Sequence, residues 1–233
     1  MSSRRLREGP ILNFKAVLMG EGCVGKTSLV LRYMEDKFNA QHLSTLQAAF
    51  VTKKVTLPDE RRAQLNIWDT AGQERYHALG PIYYRGSDGA LLVYDITDHD
   101  SFLKVKSWVR ELKQMRGSEI VLIIVGNKTD LEEQRAVVYD TATQYARTVG
   151  AQYMETSAKD NEGVSEVFEL LTQLMIEHHH GKQEDEPNSL RLQSGVTTSS
   201  ARALVVGPLD DADPATMLDR GPAASAHRSC CGI

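Results

Sequence analysis

The stretch Gly20-Glu21-Gly22-Cys23-Val24-Gly25-Lys26-Thr27 reads G-x-x-x-x-G-K-T, and no other feature of the 233-residue chain narrows its fold as much. A loop of this kind must curl tightly enough to aim several backbone N–H groups at one cluster of anionic oxygens. Glycine tolerates the positive φ such a curl needs. Lys26 is placed to reach the β- and γ-phosphates of a nucleoside triphosphate, and the Thr27 hydroxyl to bind Mg²⁺. The helix that runs on through Ser28 turns its positive dipole end toward the anion. The pattern carries this meaning only between a strand and a helix. Upstream, Phe14-Lys15-Ala16-Val17-Leu18-Met19 reads as a buried strand; downstream, Ser28-Leu29-Val30-Leu31-Arg32-Tyr33-Met34 reads as a helix. An ordinary Gly-rich turn is the reading this context displaces.

Bulk properties exclude several classes. A net charge of -4 with no basic stripe gives no nucleic-acid signal. No apolar run approaches the ~18 residues needed to span a bilayer. Met1-Ser2-Ser3-Arg4-Arg5-Leu6-Arg7 lacks the apolar core of a secretory signal and a Gly after Met, so neither secretion nor N-myristoylation is expected. Three cysteines, Cys23, Cys230 and Cys231, make no disulfide framework and suit a reducing cytosol.

Along the chain, Glu35 to Thr45 is polar and weakly periodic, as a loop would be. Ala49 to Leu57 and Ala63 to Trp68 alternate around the turn residues Pro58-Asp59-Glu60, which predicts an antiparallel hairpin. Thereafter strand-like and helix-like segments alternate. Ala90 to Asp95 is apolar. Asp100 or Ser101 can cap a helix carrying Phe102, Val105, Val109 and Leu112. Ile120 to Val125 is a continuous apolar run. Tyr139 to Thr148 reads as a helix ended by Gly150, Gln152 to Glu155 as a short strand, and Val164, Val167, Phe168, Leu171, Leu174 and Met175 as the stripe of a final helix. The pattern predicts an α/β fold, a mostly parallel six-stranded sheet with one antiparallel strand and helices on both faces. Ligands of such sheets bind at the carboxyl ends of the strands. Residues 1–12 form a short extension, 13–180 the folded domain, and 181–233, rich in Ser, Gly, Pro, Ala and Asp without periodicity, a disordered tail. The run His178-His179-His180 is a solvated helix end rather than a metal site, since no further ligands have suitable spacing.

Two further motifs lie where strands end. In Trp68-Asp69-Thr70-Ala71-Gly72-Gln73-Glu74, the Asp69 carboxylate can hold Mg²⁺ through water, Gly72 can offer its N–H to a γ-phosphate, and Gln73 can orient an attacking water. In Asn127-Lys128-Thr129-Asp130, the Asp130 carboxylate can accept both N1–H and N2–H₂ of guanine, where adenine would present an acceptor instead. Asn127 can tie neighbouring loops together and the Lys128 stem can cover the base. Thr156-Ser157-Ala158-Lys159 supplies a second loop, with a backbone N–H for guanine O6 and Lys159 beside the base. Alone, each piece is an ordinary turn; in this order after a phosphate loop they specify a guanine nucleotide, GTP or GDP.

From about Asn13 to Glu177 the chain resembles the Ras-like small GTPases, a P-loop NTPase G domain. Asp69 to Tyr76, Tyr83-Tyr84-Arg85-Gly86 and the paired terminal cysteines resemble the Rab branch; Gly20 to Thr27, Thr45 to Phe50 and His77 to Ile82 resemble its early-endosomal subgroup. The resemblance implies slow hydrolysis of GTP to GDP and phosphate, with Lys26 and Gln73 as catalytic residues, and a membrane-anchored switch in vesicle traffic. It makes Asp36 to Ala49 the first switch segment, with Thr45 on Mg²⁺, and Thr70 to about Tyr84 the second. Phe38 would stack on guanine; Phe50, Trp68 and Tyr83 would face effectors, though Phe50 and Trp68 also fit an ordinary core. Trp108 reads as packing. The implied partners are an exchange factor, an activating protein, a GDP-dissociation inhibitor, an escort protein and effectors of the GTP form, with no nucleic acid. The implied place is the cytoplasmic face of intracellular membranes, early endosome before Golgi or ER, with a cytosolic pool. Most of the branch carries Ile-Gly after the switch Thr; Leu46-Gln47 here bears on effector choice. The adjacent pair Cys230 and Cys231 is expected to be prenylated. From Gly181 on, five basic residues stand against seven acidic ones, so no polybasic patch assists a single lipid. A metabolic P-loop kinase would need an acceptor pocket and lid for which no segment exists, and a non-hydrolysing scaffold would not need Gln73 and Thr45.

Overall fold

The most apolar runs become the middle of the sheet. The computed structural model describes residues 11–41, 45, 48–70, 83–117 and 119–184. Within them the strands are β1 (Leu12–Met19), β2 (Ala49–Thr56), β3 (Arg62–Asp69), β4 (Gly89–Asp95), β5 (Val121–Asn127) and β6 (Gln152–Thr156). The helices are α1 (Lys26–Glu35), α2 (His99–Arg116), α3 (Tyr139–Thr148) and α4 (Val164–Glu184). The strand order is β2-β3-β1-β4-β5-β6, with β2 antiparallel to β3 and every other pairing parallel. Every residue of β4 is buried, as a strand covered on both faces must be. The expected hairpin is β2–β3, with Phe50 opposite Trp68 and Val55 opposite Ala63.

Side-chain alternation along β1 divides the core. Ala16 and Leu18 join Leu29, Val30 and Tyr33 of α1 and Val167, Phe168, Leu171 and Met175 of α4. Val17 and Met19 point the other way, toward Phe102, Val105, Val109 and Leu112 of α2 and Ala142 and Ala146 of α3. The predicted helical stripes are therefore the buried ones, and Trp108 packs against the second cluster as expected.

Helix ends show where local sequence is ambiguous. The cap of α2 is Asp98, whose carboxylate accepts from the N–H groups of Asp100 and Ser101, rather than Asp100 or Ser101 themselves. The Ser101 hydroxyl is turned inward, where it donates to Asp98 O at 2.7 Å and accepts from Asp95 N–H at 3.1 Å. Helix α4 runs to Glu184, four residues beyond the end expected at 180. His179 lies edge-on to Phe14 at 6.2 Å, and among the described residues no group of three or more His, Cys, Asp or Glu could hold a metal.

Parallel register aligns the carboxyl ends of five strands. Leu18 pairs with Asp69, Asp95 with Asn127, and Asn127 with Thr156. The loops that leave these ends carry the motifs. Gly72, Gln73, Leu46, Gln47, Cys230 and Cys231 lie outside the described residues, as do 1–10 and the tail from 185.

Candidate nucleotide-binding site

The loop between β1 and α1 is shaped by contacts only glycine permits. A Cβ at Gly20, φ 150°, would lie 2.1 Å from Val93 O; one at Gly25, φ 97°, would lie 2.3 Å from Asn127 Nδ2. Glu21, Gly22 and Cys23 form the crest, with Cys23 at φ 64° and exposed, while Val24 is buried and anchors the loop. Gly25 is the residue before α1, so the first N–H groups of that helix, from Lys26, Thr27 and Ser28 on, have no side-chain cap and stay available to an anion.

Lys26 is buried, at 5% exposure. Its Nζ donates to Gly20 O at 2.9 Å and Glu21 O at 2.8 Å, which holds it along the inside of the loop. Burial pulls its pKa down from 10.5 to about 8 against the opposing pull of Asp69 and Glu21. Glu21 also faces Lys104 of α2 at 3.9 Å.

Three oxygen-bearing side chains converge beside Lys26 from three parts of the chain. Thr27 Oγ1 donates to Asp69 Oδ2 at 2.6 Å and lies 2.6 Å from Thr45 Oγ1. Asp69 ends β3 and is buried. Two hydroxyls and one carboxylate are hard oxygen donors with a single negative charge. That set suits Mg²⁺, which keeps several waters and completes its shell with phosphate oxygens. The residues thus fit the metal that sequence assigns to Thr27, Thr45 and Asp69.

The base side is built around Asn127, at 1% exposure. Its Nδ2 donates to Val24 O at 2.9 Å, and its Oδ1 accepts from Thr156 Oγ1 at 3.0 Å and Ala158 N–H at 3.3 Å. One amide thereby joins the phosphate loop to both base loops, the tying role expected of it. Asp130 receives Ser157 Oγ on Oδ1 at 2.8 Å and lies 3.5 Å from Lys159 Nζ through Oδ2. Lys128, at φ 72°, reaches Asp95 Oδ2 at 2.6 Å. Asp95, which ends β4, is a member of the site that sequence reasoning missed; an acidic residue closing an apolar strand at the ligand edge was the available signal. Phe38 is 38% exposed, an open ring three residues past the end of α1.

On the outer face, Phe50 and Trp68 centroids are 5.2 Å apart and Trp68 and Tyr83 centroids 6.0 Å. The three rings form one continuous strip, with Phe50 54% exposed. Lys15 Nζ stands over the Trp68 ring at 5.1 Å.

The Ras family profile matches residues 15–177. Over 169 residues the chain is 62% identical to Ras-related protein Rab-21 of Homo sapiens, covering 72% of this chain and 75% of that protein. The figures for Ras-related protein Rab-21 of Bos taurus are 62%, 72% and 76%. Ras-related protein Rab-21 of Dictyostelium discoideum is 56% identical, with 72% and 79% covered.

Proposed function

This chain belongs to the Ras family, in its Rab branch, and on that premise we propose how its residues run the switch of a small GTPase of vesicle traffic. The family binds guanine nucleotide, generally with Mg²⁺, and hydrolyses GTP. The observation that carries the residue assignment is the meeting of Thr27, Thr45 and Asp69 at 2.6 Å. Thr45 belongs to the segment between α1 and β2, Thr27 to the phosphate loop, and Asp69 ends β3 immediately before the second switch. A ligand held by all three orders both switches at once.

In the proposed cycle, Lys26 exchanges its carbonyl partners for β- and γ-phosphate oxygens. Thr27 and Thr45 would hold Mg²⁺ through their hydroxyl oxygens and Asp69 would hold it through its water shell, and there the metal would supply positive charge to the phosphates. Gly72 N–H holds the γ-phosphate and Gln73 orients the attacking water; both lie outside the described residues. Water attacks γ-phosphorus, the bond to the β–γ bridging oxygen breaks, and phosphate leaves. Thr45 and Gly72 then lose their partner and the switches relax. Asp130 and Ala158 N–H read the base, flanked by Lys128, Lys159 and Phe38. Phe50, Trp68 and Tyr83 present the GTP form to effectors.

Regulators and effectors are general to the family. The specific set proposed here is an exchange factor, an activating protein supplying an arginine, a GDP-dissociation inhibitor and an escort protein, acting on early endosomal membranes. Single-turnover hydrolysis tests the assignment. GTP should be cleaved and bound in preference to ATP by roughly 10⁴-fold or more, because a carboxylate expecting two donors rejects a base lacking them. Gln73→Leu should slow activator-stimulated hydrolysis by at least ~10²-fold while leaving nucleotide affinity nearly unchanged. Comparable ATP and GTP affinities would sink the guanine assignment, and wild-type turnover in Gln73→Leu would move the water-positioning role elsewhere.

A further inference from the structure

Arg32 lies in the last turn of α1 and has no place in the motifs that define the site. Its side chain is 14% exposed, and all three guanidinium nitrogens donate to two separate segments. Nε donates to Ala158 O at 2.9 Å, and Nη2 donates to Lys159 O at 3.0 Å. Nη1 donates to Asp36 O at 3.0 Å and Asp36 Oδ1 at 2.9 Å. Asp36 closes α1 in the left-handed region at φ 53°, with its N–H returned to Arg32 O. Asn161 Nδ2 reaches the same Asp36 Oδ1 from the base-loop side at 3.2 Å.

The two segments are the two walls of the base pocket. Asp36 stands two residues before Phe38, the ring assigned to the face of guanine. Ala158 carries the N–H assigned to O6, and its own carbonyl is what Arg32 Nε holds. We infer that Arg32 is a positioning residue for guanine: its fork fixes the Ala158–Lys159 peptides against the root of the first switch, and so sets O6 recognition and nucleotide residence time together. Only a planar guanidinium has donors in the geometry for two neighbouring carbonyls and a third group at the side. The Asp36 carboxylate is 76% exposed and adds little as an ion pair. The carbonyl bonds carry the effect. They also couple the walls, so whatever pulls Asp36 and Phe38 outward during exchange drags on Ala158.

The inference rests on the guanine reading above, and the test separates the two. Dissociation rates of GDP, 6-thio-GDP and IDP are measured on full-length wild type, Arg32→Gln, Arg32→Lys and Asp36→Gly with Mg²⁺ present. 6-thio-GDP changes only the O6 acceptor; IDP lacks only the amino group that Asp130 reads. Arg32→Gln should speed GDP release roughly 10- to 100-fold, the worth of one or two hydrogen bonds to a charged group. It should also shrink the preference for GDP over 6-thio-GDP while leaving that over IDP intact. Arg32→Lys keeps the charge but not the fork, and should resemble Arg32→Gln. Asp36→Gly keeps the left-handed turn and the carbonyl clamp, so it should leave release of all three nucleotides close to the wild-type rates. Unchanged release in both Arg32 variants, or acceleration of all three nucleotides by a common factor, overturns the inference. A wild type with no preference for GDP over either analogue overturns the guanine reading itself.

Discussion

Lys26 shows how a single buried side chain can couple folding, proton binding and ligand binding. Its pKa lies at about 8 because burial costs the ammonium more than Asp69 and Glu21 return. Between pH 8 and the ordinary 10.5, the unfolded chain holds this proton and the nucleotide-free fold does not. Stability of that form therefore gains from this residue as pH rises through the window, and below it the cost of the buried charge is fully present. Phosphate oxygens reverse the balance and restore the ammonium. GDP binding should accordingly take up close to one proton at pH 9 and none at this residue at pH 7. Calorimetry in buffers of different ionisation enthalpy measures this directly. A proton count of zero at pH 9 would mean the loop keeps Lys26 charged before nucleotide arrives. Residues of this kind were legible in the sequence because their spacing is local: Gly20 to Thr27 and Asn127 to Asp130 each declare themselves within eight positions. Arg32 was not, because the carbonyls it holds are 126 and 127 positions away.

At the scale of elements, β4 and β6 are joined across β5 by a polar network beneath the base loops. Tyr94 and Tyr153 hydroxyls are 2.8 Å apart, and Tyr153 donates to Glu155 Oε1 at 2.6 Å. Arg135 grips Glu155 at 2.8 and 2.9 Å and also reaches Glu132, so the segment after Thr129–Gln134 is pinned to the end of β6. The hydrogen bond it donates to Glu155, then that to Glu132, pushes the Arg135 pKa further up; burial first, then the hydrogen bond to Glu155, pushes that of Tyr153 up. Gly126 leaves the space, since a Cβ there would meet both tyrosine hydroxyls at 2.9 Å. Arg135→Ala strands a half-buried carboxylate and should cost about 2 kcal/mol. For a domain of this size that is a fall of roughly 4–8 °C in Tm, read by thermal unfolding of the GDP-loaded protein. A change under one degree would mean water serves Glu155 equally well. The elements themselves followed from periodicity, and β2–β3 was predictable as a hairpin from Pro58-Asp59-Glu60. Helix ends were harder. Asp98, Asp100 and Ser101 all satisfy a capping pattern, and only the inward turn of the Ser101 hydroxyl, toward a strand six residues earlier, decides among them.

For the whole molecule, anchoring is a matter of how many lipids the charge balance demands. Five basic against seven acidic residues from Gly181 on give no attraction to an anionic surface. One prenyl chain without such help holds only marginally. Both Cys230 and Cys231 should therefore be prenylated, as geranylgeranyl groups, in protein from cells. Intact mass should show two isoprenoid additions. Cys230→Ser and Cys231→Ser should each weaken membrane retention, and the double variant should be recovered without membrane. Full retention by either single variant would overturn the two-lipid argument.

The strand order also imposes a schedule on synthesis. β1 is made first, yet its neighbours are β3 and β4, so its second edge stays open until Asp95 has been added, 95 − 19 = 76 residues after Met19. At ~5–20 residues per second this is about 4–15 s on the ribosome with one edge of an apolar strand open. The face of β1 that carries Ala16 and Leu18 waits longer, because α4 begins at Val164. A nascent chain stopped before residue 164 should thus bind chaperones through that bare face and resist protease poorly. One extended past residue 184 should lose both properties together, so that final commitment to the native state waits for α4.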